Sequence, residues 1–113
     1  EVKKVSLFKI HYKFGFGVEF QPNQYAEVFS RSSVHKLWLW LSNGTGIIDN
    51  GYIGEWQAVF YKIPFISKPY KVGDRACQAI FKYSQDNNLI FTSADELAST
   101  ERGSWGFGSS GNK

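Results

Sequence analysis

The sequence is a series of short apolar segments, each broken after a few residues by glycine, proline, asparagine or serine. Segments of this kind predict β-strands, and several in one chain predict a β-barrel or β-sandwich. In chain order the predicted strands are KFGFGVEF, YAEVFS, LWLWL, EWQAVFYKI, ACQAIFKY and NLIFT. Only SADELAS has a helical pattern, and a Ser93 cap with glutamate three residues later predicts one turn. The predicted fold class is therefore all-β.

Two of these segments allow a prediction about their faces. Phe14, Phe16, Val18 and Phe20 alternate with glycine and glutamate, which predicts a strand with one apolar face. The segment KFGFGVEF is also similar to the signature of RNA-recognition domains, whose aromatic side chains stack on bases. Because the four side chains share a face, packing in the core is the favoured interpretation. LWLWL is apolar throughout, which predicts a strand covered on both sides.

Composition limits the chain to one folded domain of 113 residues, 42% hydrophobic and 20% charged. No apolar run reaches the roughly 20 residues that a membrane span needs. The only cysteine, Cys77, excludes an intramolecular disulfide and indicates a reducing, cytoplasmic compartment. The net charge of +3 favours an anionic partner, either a nucleotide, a nucleic acid or a membrane surface.

The sequence Asp49-Asn50-Gly51-Tyr52 predicts a tight turn, because Asn-Gly is the strongest short signal for a β-hairpin. Taken alone, the turn indicates a structural role and no function. A carboxylate such as Asp49 on a rigid turn can also position a water and accept its proton. Tyr52 beside it offers a flat face to a sugar or a base.

Three other segments are weaker candidates for a site. Ser30-Arg31-Ser32-Ser33 combines a guanidinium with hydroxyls, which suits either a phosphate or solvent. Asp74 and Arg75 form a surface ion pair or hold a turn at the start of a strand. The C-terminal ERGSWGFGSSGNK has the glycine content of a flexible tail, and its backbone amides suit phosphates if it orders on binding.

Together, these segments resemble four of the five ordered motifs of the trimeric dUTP pyrophosphatase (dUTPase) family. SRSS is similar to the second motif, NGTGIIDNGYIGE to the third, GDRACQAIF to the fourth and ERGSWGFGSSG to the fifth. The resemblance covers nearly the whole chain. It implies a distorted jelly-roll-like β-barrel, about residues 1–100, with a flexible glycine-rich arm at 101–113. Tryptophan at position 105 departs from the family, which usually has glycine there.

The resemblance implies hydrolysis of dUTP to dUMP and pyrophosphate, assisted by Mg²⁺ that the substrate phosphates and water hold. It implies a homotrimer with shared active sites and no nucleic-acid or membrane partner. Asp49 is at the position of the carboxylate that activates water, and Tyr52 is at that of the ring against deoxyribose. The uracil pocket corresponds to Asn43, Gly46 and Ile48.

The remaining family positions concern the triphosphate. The resemblance places Ser32 near the oxygen that bridges the α- and β-phosphates, and Arg31, Ser33 and Gln78 at other phosphate contacts. In the arm, it places Arg102 on the γ-phosphate and Phe107 over uracil, and it places Gly108 and Ser109 in the segment around the phosphates. Asp74 and Arg75 are expected to hold a turn or a subunit contact.

The first family motif, Ala-Gly-x-Asp-Leu or similar, is not found. Three explanations stay open: it lies before Glu1, residues near the first strand are missing, or the motif is lost. The start at Glu1 rather than methionine favours the first two. Three other functions also stay open: a dCTP deaminase of the same fold, an inactive homologue that binds or regulates, and a single-stranded nucleic-acid binder.

Overall fold

The computed structural model describes residues 2–85, 89–103 and 105–106, and it confirms an all-β fold. The strands in these residues are β1 (Val2–Val5), β2 (Lys9–Lys13), β3 (Gln24–Ser30), β4 (Leu39–Leu41), β5 (Gly46–Ile48), β6 (Gln57–Lys62) and β7 (Cys77–Tyr83). Two short 3₁₀ helices, Ser32–Leu37 and Ala94–Glu96, complete the elements. No helix in the described part is long and apolar enough to cross a membrane.

The strands form two antiparallel sheets. The first has the order β1-β2-β6-β4, and the second has the order β5-β3-β7. In β2 and β6 buried residues alternate with more exposed ones, as expected for strands with one face in the core. Three of the predicted strands, YAEVFS, EWQAVFYKI and ACQAIFKY, correspond to β3, β6 and β7.

The core is divided into two clusters of buried side chains. The larger lies on the first sheet around Ile10 and Phe60, which are 1% and 0% exposed. The smaller consists of Ala26 and Val28, from β3 of the second sheet, and Trp56, which directly precedes β6. Phe14 and Cys77 pack against both clusters and connect them.

The predicted strand at KFGFGVEF is wrong, because β2 ends at Lys13 and the chain then continues without pairing as a strand. Gly15 adopts a φ of +79°, which breaks the extended conformation. A Cβ on Gly17 would lie 2.8 Å from the carbonyl oxygen of Gly54, so only glycine allows this approach. The core-packing interpretation holds in general: Phe14, Val18 and Phe20 join the smaller cluster.

Phe16 is the exception to core packing, since it is 50% exposed. Its ring nevertheless lies 5.2 Å from that of Trp56, centroid to centroid, in a tilted arrangement. The Phe16 ring therefore belongs to an aromatic cluster, although half of its surface is exposed. It is not an isolated ring on which a base could stack.

The prediction for LWLWL is also wrong in part. Only Leu39–Leu41 form a strand, and Leu39 and Leu41 are buried while Trp40 is 49% exposed. Trp38 ends the first 3₁₀ helix with a left-handed φ of 56°, which prevents an earlier strand start. The strand is thus covered on one side.

NLIFT does not form the predicted strand in its described residues, 89–92. Leu89, Ile90 and Phe91 are 75%, 89% and 95% exposed, so this apolar run has no strand or core to pack on in the described chain. The predicted single helical turn follows at Ala94–Glu96, but Ser93 makes no side-chain capping hydrogen bond.

Candidate functional site

The predicted tight turn is present and is closed by one backbone hydrogen bond. The amide of Tyr52 donates to the carbonyl of Asp49 at 3.1 Å, and Gly51 adopts the φ of +97° that such a turn requires. The β-hairpin expected around this turn is wrong. β5 pairs with β3, and the chain after the turn passes to the first sheet as β6.

Tyr52 is held against the backbone that follows it. Its hydroxyl donates to the carbonyl of Glu55 at 2.8 Å. A Cβ on Gly54 would lie 2.7 Å from the Tyr52 oxygen and 2.8 Å from Cζ, so the ring lies directly over Gly54. The spacing Tyr-x-Gly therefore has a packing reason, because a side chain at position 54 would displace the ring.

Glu55 fixes the turn to the segment that follows β2. Its Oε1 is 3.1 Å from Lys13 Nζ, and its Oε2 accepts a hydrogen bond from the Gly15 amide at 2.8 Å. The hydrogen bond from Lys13 lowers the pKa of the Glu55 carboxyl. No local sequence pattern predicts this contact, because its partners are far apart in the chain.

Two neighbouring pockets bring five of the predicted residues together. The first pocket, of about 200 Å³, is lined in part by Asn43, Gly46 and Ile48. The second pocket, of about 170 Å³, is lined in part by Asp49 and Tyr52. The two pockets share Ile47, Ile48 and Gln57.

Gln57 lines both pockets and was missed by sequence analysis. Its Oε1 is 2.6 Å from His11 Nε2, which positions its side-chain amide. The only available signal was its place just after the third motif. Asp49 itself is exposed beside the second pocket.

A second group of predicted residues meets where β3 ends; we name Arg31, Ser32, Ser33 and Gln78 the β3-end cluster. Arg31 Nη1 donates to the carbonyl of Arg75 at 3.4 Å, and Gln78 Nε2 donates to the carbonyl of Ser30 at 3.1 Å. Ser32 and Ser33 begin the 3₁₀ helix that follows directly. Pairing of β3 with β7 accounts for this grouping.

Asp74 holds a turn, which is one of the three interpretations given for it above. Its Oδ2 accepts a hydrogen bond from the Lys71 amide at 2.8 Å, and its own amide donates to the Lys71 carbonyl at 2.9 Å. The described ion pairs do not include one between Asp74 and Arg75. Burial raises the pKa of the Cys77 thiol to about 11, so it is neutral and unsuited to nucleophilic chemistry.

The two groups are well separated within one chain. Ile48 pairs with Ala26, so Asp49 lies beside the beginning of β3, whereas Arg31 follows its last residue. Five residues of strand from Ala26 to Arg31 span about 16 Å. A single described chain therefore does not bring Asp49 to the β3-end cluster.

The predicted arm is described only in part. Arg102 Nε donates to the Trp105 carbonyl at 2.7 Å, and the Trp105 amide donates to the Arg102 carbonyl at 3.2 Å. Trp105 is 62% exposed. The predicted site residues Phe107, Gly108 and Ser109 lie outside the described residues.

Comparison with solved structures shows what fold this is. The chain matches structures of Staphylococcus bacteriophage 80alpha dUTPase with dUpNHpp, at TM-scores of 0.58 and 0.60 and identities of 20% and 18%. The matches cover 99% of this chain and 90% and 92% of those chains. The predicted jelly-roll-like architecture is thereby confirmed.

Sequence comparison gives the family. The chain is 36% identical to the deoxyuridine 5'-triphosphate nucleotidohydrolase of Escherichia phage T5, over 88% of this chain and 66% of the phage protein. It is 37% identical to that of Candida albicans, over 63% of this chain and 45% of the relative. The chain thus spans between about half and two thirds of these relatives. A model of the dUTPase family matches residues 6–111, and the chain belongs to that family.

Proposed function

We propose that this protein hydrolyses dUTP to dUMP and pyrophosphate by attack of water on the α-phosphorus. The observation that carries the proposal is the pair of neighbouring pockets, which place Asp49 and Tyr52 beside Asn43, Gly46 and Ile48. The relatives from phage and yeast named above are deoxyuridine 5'-triphosphate nucleotidohydrolases, which supports the same substrate. The single thiol favours a reducing, cytoplasmic location.

In this proposal the first pocket takes uracil and the second takes the deoxyribose. The first pocket's position between β5 and the loop that contains Asn43 offers backbone amides and carbonyls to the polar edge of the base. Tyr52, fixed over Gly54, closes one side of the second pocket, so a 2′-hydroxyl has little room. Asp49 orients the attacking water and accepts its proton.

The β3-end cluster would bind the triphosphate. Arg31 brings a fixed positive charge, and Ser32 brings a hydroxyl donor to the oxygen between the α- and β-phosphates. Charge grows on that oxygen as pyrophosphate leaves, so a donor there stabilises the transition state. Ser33 and Gln78 provide further polar contacts to the phosphates.

Magnesium is the proposed cofactor, and it would arrive with the substrate. The described residues contain no group of three His, Cys, Asp or Glu side chains that could hold an ion. The proposal rests on the chemistry of Mg²⁺, which usually keeps several waters and is held largely by substrate phosphates. When bound, the ion would neutralise charge on the phosphates; Gln78, in the β3-end cluster, is the side chain proposed to contact its water shell.

Assembly as a homotrimer would complete the site, with Asp49 from one subunit and the β3-end cluster from its neighbour. The separation of about 16 Å along β3 supports shared sites. The exposed Leu89, Ile90 and Phe91 support assembly, because such an apolar run needs a cover.

Mixing two inactive variants tests shared sites. Arg31→Ala removes the positive charge of the β3-end cluster, and Asp49→Asn removes the carboxylate proposed as the general base. If each site takes these residues from different subunits, every mixed trimer has one intact site. Equal co-expression is then expected to restore about a quarter of wild-type activity. If each site were formed within one chain, the co-expressed variants would have no dUTP hydrolysis activity.

The arm is proposed to close over the bound nucleotide, with Arg102 on the γ-phosphate and Phe107 on the base. Gly108 and Ser109 would follow the phosphates with their backbone amides. In the described structure Arg102 donates a hydrogen bond to the Trp105 carbonyl. Closure would exchange this local hydrogen bond for one to the γ-phosphate. Closure of this kind excludes water and fixes the reacting geometry.

Substrate profiling tests the proposed activity. The protein is mixed with Mg²⁺ and dUTP, dCTP, dTTP or UTP, and pyrophosphate and ammonia are measured. Pyrophosphate from dUTP alone is expected. Ammonia from dCTP would instead identify a deaminase. Binding of dUTP without any product would identify an inactive homologue with a binding or regulatory role.

A further inference from the structure

Asn50 fastens the turn that carries Asp49 to a distant part of the chain. Its Nδ2 donates two hydrogen bonds, to the carbonyl of Gln21 at 2.8 Å and to the carbonyl of Gln24 at 2.9 Å. A side-chain amide nitrogen has two hydrogens, so both are used. These contacts join the turn to the first residue of β3 and to the loop before it, and we name them the Asn50 clamp.

The acceptors of the clamp are themselves held in place. The Gln24 amide donates to the Gln21 carbonyl at 3.0 Å, and the Gln21 amide donates to Gln24 Oε1 at 3.0 Å. Tyr83, the last residue of β7, donates its hydroxyl to Gln21 Oε1 at 2.9 Å. Ser84 then donates its amide to the Asn23 carbonyl at 2.7 Å. The clamp therefore reaches a loop that is fixed to the second sheet.

Asp49 has no such support of its own. Among the described residues, none donates a hydrogen bond to its carboxylate, which is exposed beside the second pocket. Its position consequently depends on the backbone of the turn. The turn has one internal hydrogen bond, from the Tyr52 amide to the Asp49 carbonyl, and Asn50 supplies its side-chain connection to the second sheet.

We propose that Asn50 is a positioning residue for the catalytic step, acting through Asp49. The inference rests on the proposed dUTP hydrolysis. Without the clamp the turn stays closed, but it is joined to β3 only through the strand pairing that ends at Ile48 and Ala26. The turn can then shift beyond Ile48, which moves the Asp49 carboxylate away from the attacking water. Small displacements of a catalytic group are enough to lower the rate, while the pocket residues that bind the base are unchanged.

Two substitutions test this inference. Asn50→Asp keeps the shape but replaces both donors by a carboxylate oxygen that two carbonyls repel, and Asn50→Ala removes the group. For each, kcat for dUTP is expected to fall about tenfold or more. In Asn50→Ala, which adds no charge beside the anionic ligand, Kd for a non-hydrolysable imido analogue of dUTP is expected to stay within about threefold of wild type.

A second readout needs no activity. The Tyr52 amide, bonded to the Asp49 carbonyl, is expected to exchange its hydrogen faster in both variants. The matched control is Ile10→Val, a buried change in the larger core cluster that lowers stability without touching the turn. It is expected to leave kcat and the Tyr52 exchange rate unchanged.

The possible outcomes separate the inference from the proposed function. Wild-type kcat in both Asn50 variants would overturn the positioning role. An equal loss of kcat in Ile10→Val at the same melting temperature would also overturn it, because the effect would be one of stability. A wild-type protein that does not hydrolyse dUTP would refute the proposed function, while the Tyr52 exchange would still report whether the clamp holds the turn.

Discussion

Asp49→Asn is expected to lower kcat for dUTP by about 10²–10⁴-fold and to leave nucleotide binding intact. Asparagine has the same shape, so the bond from the Tyr52 amide to the carbonyl of residue 49 is retained. The amide cannot accept a proton from water at neutral pH. Removing a negative charge near an anionic substrate does not weaken binding, so the loss falls on the chemical step.

Pyrophosphate release gives kcat, and titration with a non-hydrolysable imido analogue of dUTP gives Kd. The control is Asp95→Asn, which removes one negative charge from the exposed second 3₁₀ helix. It is expected to hydrolyse dUTP at the wild-type rate. If Asp49→Asn is as active as this control, Asp49 is not the general base.

Gly54→Ala is expected to lower kcat/KM for dUTP by about 10²-fold, because Tyr52 has to leave its position. The added Cβ would lie 2.7 Å from the tyrosine oxygen, 2.8 Å from Cζ and 3.2 Å from Cε1. No real contact of carbon with a ring is this short, so the ring must rotate and break its bond to the Glu55 carbonyl. The second pocket then loses one side.

The same substitution should weaken discrimination against UTP. If the fixed ring leaves no room for a 2′-hydroxyl, moving it reduces the ratio of kcat/KM between dUTP and UTP. Ile53→Ala is the matched control, since this neighbouring side chain is 78% exposed and lines neither pocket. An unchanged dUTP preference in Gly54→Ala would show that the ring of Tyr52 does not select the sugar.

Local sequence signals predicted the parts of the molecule that depend on local physics. Asn50-Gly51 predicted the turn, because its backbone conformation suits glycine whatever surrounds it. The short apolar segment EWQAVFYKI likewise predicted a strand, which is present as β6. Grouping of the β3-end cluster also needed the pairing of β3 with β7, which the sequence motifs alone do not specify.

The errors come from contacts that join distant segments. KFGFGVEF has the period of a strand, yet it does not form one. Gly15 adopts a left-handed conformation, and Gly17 packs closely against the carbonyl of Gly54. LWLWL is apolar on both sides, but nothing in its composition reveals that Trp40 stays exposed. The distance between Asp49 and Arg31 follows from strand register, which no single segment encodes.

The contact between Gly17 and the Gly54 carbonyl has a consequence for engineering. Gly17 lies outside the four segments that resemble family motifs, yet a larger residue there would push on the backbone under Tyr52. A library designed to change the accepted sugar or base should therefore keep position 17 as glycine or vary it together with residue 54. Tolerance to substitution at Gly17 is therefore set by its contact with the backbone of Gly54, on which the Tyr52 ring of the proposed substrate site lies.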